Sequence, residues 1–194
     1  MSGKPRFDES AVITAAVGIF WRHGYAAASI SDLTEATGLS RSSLYQRFGD
    51  KDGLFLEALE AYTQRVLRRM NTPQDDSARG RMERLLRAFL PDPSAPPRPP
   101  GCLIGRSCLE AADLTEAGHR AAQAAAARQH EILTGILHEG VRSGELPPDS
   151  DIDALGWHFF GVMQTVVNLP HTGASPDMVG RVIEVAMASW PVKF

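Results

Sequence analysis

The sequence predicts an all-α fold of about nine helices. Three observations support this. Apolar residues recur at spacings of three and four along most of the chain, cap residues and glycines punctuate those stripes, and no segment alternates with the period of two that a strand requires. The chain has 194 residues, is 43% hydrophobic and carries a formal net charge of −3. That is enough apolar material for a core in one large domain or two small ones.

In the first helix, Asp8 and Glu9 precede the stripe Val12, Ile13, Ala16, Val17 and Phe20, placing acids at the favourable end of the helix dipole, and Gly24 predicts its stop. Ser29 with Asp32 three residues on forms a near capping box for a short helix ending at Gly38. Ser40 caps a helix from about Arg41 to Arg47, with Gly49 beyond it. Asp50 caps a longer one that buries Leu54, Phe55, Ala58, Leu59, Tyr62 and Val66. Asn71-Thr72-Pro73 breaks that helix, and another runs from about Asp76 to Leu90 on Met82, Leu85, Leu86 and Phe89. Pro91 to Gly101 holds six prolines in eleven residues and reads as an ordered or half-ordered surface loop. Helices follow over Leu103–Ala112, Glu116–Arg142, Asp151–Leu169 and Pro176–Trp190; the third is apolar around most of its circumference.

Composition also excludes classes. No apolar run approaches the ~18 residues of a membrane span, and MSGKPRFDES has no secretory core. Two cysteines make no disulfide framework, which fits a reducing, cytoplasmic setting. No Walker A loop, GxSxG, HExxH or paired CxxC is present, so an enzyme is not expected. No cofactor or metal is expected either: His130 and His138 share a helix face but stand about 12 Å apart along it. Residues 1–70 carry net charge +1 and the remainder −4, which allows a nucleic-acid reader at the N-terminal end.

Residues 29–55, SISDLTEATGLSRSSLYQRFGDKDGLF, hold the functional signal. Two short helices joined by Gly38-Leu39-Ser40 describe a helix-turn-helix. The second helix is polar on one face (Arg41, Ser42, Ser43, Gln46, Arg47), with Leu44 and Phe48 on the other. Small hydrogen-bonding side chains let a backbone approach base edges, and arginine reads guanine bidentately.

With Ile30, Gly38-Leu39-Ser40, Leu44-Tyr45-Gln46-Arg47-Phe48 and Lys51-Asp52-Gly53-Leu54, the run resembles the TetR family of bacterial transcriptional regulators over residues 8–60. Ser31, Thr37 and Arg47 depart from the usual pattern. The resemblance implies a DNA-binding domain over 1–50 and an effector-binding and dimerisation domain over 51–194. It places Ser40, Arg41, Ser42, Ser43 and Gln46 at bases or nearby phosphates, and Tyr45, Arg47, Lys51, Ser29 and Ser31 at the DNA backbone. It further implies a homodimer through the last two long helices, a palindromic operator in double-stranded DNA, and a small-molecule effector that releases it.

Met82, Phe89, Trp157, Phe160 and Met163 are apolar candidates for the effector pocket. Pro100-Gly101-Cys102-Leu103-Ile104 resembles a run in a subgroup that responds to electrophiles. Cys102 is therefore either a sensor thiol near a helix start or a small buried hydrophobe. Cys108, six residues on, lies about 120° around and ~9 Å along a continuous helix, so a disulfide between the two is not expected. Two other readings stand beside the regulator: a helical interaction module without DNA binding, and a thiol-dependent transferase using Cys102.

Overall fold

A computed structural model of the chain describes residues 7–92, 94 and 98–191. Among them are nine α-helices and no strand: α1 Glu9–Ala27, α2 Ile30–Thr37, α3 Arg41–Phe48, α4 Lys51–Asn71, α5 Ala78–Arg87, α6 Leu103–Leu109, α7 Glu116–Ser143, α8 Ile152–Asn168 and α9 Pro176–Met187, with 3-10 turns at Ala111–Asp113 and Leu169–Thr172. The all-α expectation holds, with helix ends within a few residues of those read from the sequence. The expected order of the Pro91–Gly101 loop falls partly on residues 93 and 95–97, outside the described residues.

The chain forms two compact units. The first comprises residues up to 64 together with 103–125; the second comprises 65–102 and 126 onward.

The first unit is built around α1. Val12, Ala16 and Phe20, at helical spacing, are buried with Leu33 of α2, Leu44 of α3, and Leu54 and Phe55 of α4. Phe20 meets Phe55 edge-on at 5.2 Å between centroids, and Trp21 meets Tyr62 at 4.9 Å. Such pairs add roughly 0.5–1.5 kcal/mol each beyond the area they bury.

Gly24 does not end α1 as the sequence predicts. It breaks the helix at φ 78°, ψ 179°, and the chain then resumes for one more turn to Ala27. The break survives because α6 serves the groups it exposes. Arg106 donates from Nη1 to Arg22 O (3.1 Å) and from Nη2 to His23 O (2.9 Å), while Glu110 accepts from the Tyr25 amide at 2.9 Å. Arg106 Nε closes the clamp on Glu110 at 2.7 Å. A buried break without such partners would leave peptide groups unsatisfied.

In the second unit, Ser77 caps α5, and Glu145 accepts from the Ala78 and Arg79 amides at 2.9 and 3.1 Å. Burial pushes the Glu145 carboxyl up, but these two N–H bonds and the Ser143 hydroxyl hold it below the usual carboxylate range. The core gathers Met82, Leu85 and Leu86 of α5, Leu133, Ile136 and Leu137 of α7, Phe159, Met163 and Val166 of α8, and Val179 and Ile183 of α9. Ser175 caps α9, with Pro176 at its first position. No helix among the described residues is long and apolar enough to cross a membrane.

Candidate nucleic-acid interface

The reading head is assembled from local signals. Ser29 caps α2 in a full capping box: its Oγ accepts from the Asp32 amide at 3.1 Å, and the Asp32 carboxylate accepts from the Ser29 amide at 3.0 Å. The Ser29 hydroxyl and amide hold the Asp32 carboxyl below its ordinary range. Gly38 ends α2 in the left-handed region at φ 69°, where a side chain is strained. Leu39 turns inward and is buried. Ser40 then caps α3, accepting from the Ser43 amide at 3.1 Å, with its hydroxyl 3.0 and 2.9 Å from those of Ser42 and Ser43.

One side of α3 is anchored by Leu44 and Phe48, both buried. On the opposite side Ser40, Arg41, Ser42 and Gln46 are exposed, as is Ser31 on α2. Ser43 and Tyr45 are half-buried. The Arg41 guanidinium lies 5.6 Å from the Tyr45 ring centroid and reaches its hydroxyl at 3.4 Å. An exposed arginine and a half-buried tyrosine thus stand together on consecutive turns, each with hydrogen-bond donors.

Arg47 is bound within the unit. Its Nε and Nη2 bond both oxygens of Glu9 (3.0 and 3.2 Å), and its Nη1 and Nη2 bond both oxygens of Glu57 (2.9 and 3.1 Å). Glu9 and then Glu57 push its pKa up, and in return Arg47 holds the Glu9 carboxyl below its usual range. The side chain is a cross-brace joining α1, α3 and α4, and its guanidinium is committed here to the two carboxylates.

Lys51 keeps its place at the start of α4 but is partly engaged. Its Nζ sits 4.4 Å from the Tyr25 ring centroid and donates to Ala26 O at 3.4 Å. Burial lowers its pKa. The Tyr25 hydroxyl donates to Asp52, and desolvation together with that carboxylate raises its pKa. The sequence hid the partners of Arg47 and of Gly24, because Glu9 and Arg106 lie 38 and more than 80 residues from the groups they bind.

The pocket candidates Met82, Phe89, Trp157, Phe160 and Met163 all lie in the second unit. Met82 and Met163 are fully buried, and Phe89 and Phe160 are half-buried. Trp157 is 53% exposed, stacked on His130 at 4.2 Å. The ring stands on an open face of α8. Cys102 is 8% exposed, immediately before α6. That helix has only seven residues and supplies little of the dipole an activated thiol would draw on. Arg106, four residues beyond Cys102, is committed to Glu110 and the α1 carbonyls. Cys102 and Cys108 are not joined by a disulfide. No group of three or more His, Cys, Asp or Glu among the described residues could hold a metal ion.

Capped helices, a left-handed glycine turn and an outward polar face on an apolar anchor define a helix-turn-helix protein of the kind that reads duplex DNA. Residues 12–58 match the model of the bacterial regulatory proteins of the tetR family, and residues 78–186 match the tetracyclin repressor-like C-terminal domain. The chain belongs to the TetR family; it is a transcriptional regulator, and its relatives are regulators rather than enzymes. It is 26% identical over 193 residues to the HTH-type transcriptional repressor ComR of Escherichia coli K12, covering 97% of this chain and 92% of that one. Among solved structures, it resembles a cysteine mutant of the TetR family transcriptional regulator CifR complexed with 26-bp double-strand operator DNA: 30% identity, TM-score 0.86, 97% of this chain and 100% of that one. A TetR family regulator from Cytophaga hutchinsonii shares the fold at 22% identity and TM-score 0.79, covering 100% of both chains.

Proposed function

We propose that the protein is a cytoplasmic repressor that binds a palindromic operator as a homodimer and leaves it when a small molecule occupies the second unit. The observation that carries this reading is the face of α3: Ser40, Arg41, Ser42 and Gln46 stand exposed on a helix whose other side is fixed by Leu44 and Phe48. Arg41 reads a base edge, Tyr45 bonds a phosphate, and Ser42, Ser43 and Gln46 reach bases or the adjoining backbone. Ser31 and Lys51 hold the backbone from α2 and α4, with Ser29 and Ser40 contributing mainly through the helix ends they cap. The operator complex of the similar CifR supports the assignment.

Dimerisation uses α8 and α9. Ala154, His158, Gly161 and Thr165 are exposed at spacings of four, three and four along α8; Met178, Arg181, Val185 and Ala188 are exposed along α9. Val185 is 75% exposed, and the open Trp157 ring lies beside the α8 stripe. Ala154, Gly161 and Thr165 beside His158 on α8, and Met178 and Val185 beside Arg181 on α9, suit a self-complementary four-helix contact with an apolar centre and a few polar groups. Two recognition helices would then enter major grooves about 34 Å apart, and an effector releases DNA by favouring a state in which that spacing fails. Met82, Phe89, Phe160 and Met163 supply apolar lining for the effector. Cys102 is the thiol on which an electrophilic effector would act, a reading supported by the Gly101-Cys102-Leu103-Ile104 run that resembles the electrophile-responding subgroup.

The test is a mobility shift of the purified protein on the duplex flanking its own gene, with scrambled competitor, at two salt concentrations. Selective binding that weakens with salt and is lost in Arg41→Ala, with helicity unchanged, is expected. Arg41→Ala binding as tightly as wild type removes the base-reading role. No selective binding there, nor in a random-sequence selection, favours the interaction-module reading.

A further inference from the structure

A helix that reads DNA has to be held within about 0.5 Å and 10–20° of its working position, and the residues that hold it need not touch the duplex. α3 has slender support. It is eight residues long, and its buried residues are Leu44 and Phe48. The Ser40 cap fixes its first turn. Its last turn runs into Gly49 at φ 81° and then, one residue on, into α4. That turn carries Arg47. It follows the exposed Gln46 by one residue, so it stands about 100° round the helix, on the flank between the outer face and the apolar anchor.

Arg47 commits nearly all its hydrogen-bonding capacity within the unit. Four of the five N–H groups of a guanidinium are used: Nε and Nη2 on Glu9, Nη1 and Nη2 on Glu57. Glu9 opens α1 and Glu57 lies in the second turn of α4, so the fork ties three helices at one point. The guanidinium also lies 4.7 Å from the ring centroid of Phe48, one of the two anchors. Two carboxylates on one cation give the cluster a net charge of −1, and its three side chains are 33–43% exposed. That charge repels phosphate at this flank, and a guanidinium swung out to a phosphate would leave two neighbouring carboxylates without their cation.

We propose that Glu9 and Glu57 are positioning residues for DNA reading: they hold Arg47 off the duplex and through it fix the last turn of α3, so that sequence preference depends on a residue that touches no DNA. The proposal rests on the DNA-reading role of α3 above and adds what holds that helix in place.

The experiment measures binding to the duplex flanking the protein's own gene and to a scrambled duplex of equal length, over a salt series. It compares the full chain with Arg47→Met, Arg47→Lys, the pair Glu9→Gln and Glu57→Gln, and that pair combined with Arg47→Met. Circular dichroism confirms helicity at the assay temperature. Arg47→Met is expected to weaken binding to the flanking duplex about 3–10-fold, the most that a half-exposed ion-pair network can transmit. On the scrambled duplex it should change the slope of log affinity against log salt by much less than one unit. In the glutamine background Arg47→Met should lower that slope by about one unit, because the freed guanidinium reaches phosphate there. Arg47→Lys should lose the flanking duplex much as Arg47→Met does, since an ammonium cannot form the fork that meets both carboxylates bidentately. It decides alone if Arg47→Met does not fold. The proposal is overturned if Arg47→Met lowers the slope by about one unit in the wild-type background, if it changes nothing in the glutamine background, or if Arg47→Lys binds both duplexes as wild type does. A wild-type chain with no preference for the flanking duplex sinks the choice of operator alone, because the slopes on the scrambled duplex still score the brace.

Discussion

Replacing Gly24 by alanine tests the clamp between α6 and the broken turn of α1. The glycine sits at φ 78°, ψ 179°, a region essentially closed to other residues. Forcing alanine there costs about 1–3 kcal/mol. Its Cβ would also run into both carboxylate oxygens of Glu110 and fall 2.7 Å from Arg106 Nε. Glu110 cannot then hold the Tyr25 amide, and losing that charge-assisted bond adds roughly 1.5–2 kcal/mol, taken low because the pair is partly solvated. The sum, about 2.5–5 kcal/mol, is a large share of the ~5–15 kcal/mol that holds a domain together. For a chain of this length it lowers the thermal midpoint by about 5–20 °C. Urea unfolding followed by far-ultraviolet circular dichroism reads it directly. Glu110→Ala separates the two terms: the double variant should be less destabilised than the sum of the single ones, by about 1–2 kcal/mol. A Gly24→Ala protein within about 0.5 kcal/mol of wild type would refute both the strain and the clamp.

Other outcomes follow from the site. Lys51→Ala should reduce the slope of log affinity against log salt by about one unit on any duplex the protein binds; an unchanged slope means Lys51 spends its charge on Tyr25 and Ala26 alone. Arg47→Met should lower stability at neutral pH, and its effect should fade in acid. The Glu9 carboxyl titrates below its ordinary 4.5 when folded, so its stabilisation is full above that pH and disappears as pH falls through the folded value. A variant whose deficit stays constant from pH 7 down to about 3 contradicts the brace. Cys102→Ser should abolish release from DNA by an electrophile such as methylglyoxal while leaving release by non-reactive effectors intact; release that persists in the variant rules the thiol out.

What the sequence made legible was local. Caps at Ser29, Ser40 and Ser175, and the glycine at 38, announce helix starts and the recognition turn within three or four residues of the groups they bind, so reading along the chain finds them. The apolar stripes likewise report burial on their own helix. What stayed hidden depends on distant partners. Arg47 looks like a free DNA-facing cation until Glu9 and Glu57 arrive from α1 and α4. Gly24 looks like a stop until Arg106 and Glu110 satisfy its neighbours. Trp157 reads as pocket lining on a helix apolar around most of its circumference, because periodicity cannot distinguish a face turned inward from one left open.

The membership of α6 in the first unit bears on how such regulators can be cut and spliced. Grafting residues 1–50, or even 1–64, onto another effector body would omit 103–125. The transplanted α1 would arrive with the carbonyls of Arg22 and His23 and the amide of Tyr25 stripped of Arg106 and Glu110. A working chimaera therefore has to carry α6 along as a second, non-contiguous insert, or supply an equivalent arginine–glutamate pair from the recipient. Recombination between family members faces the same constraint: crossovers anywhere between α1 and α6 separate residues that function only together.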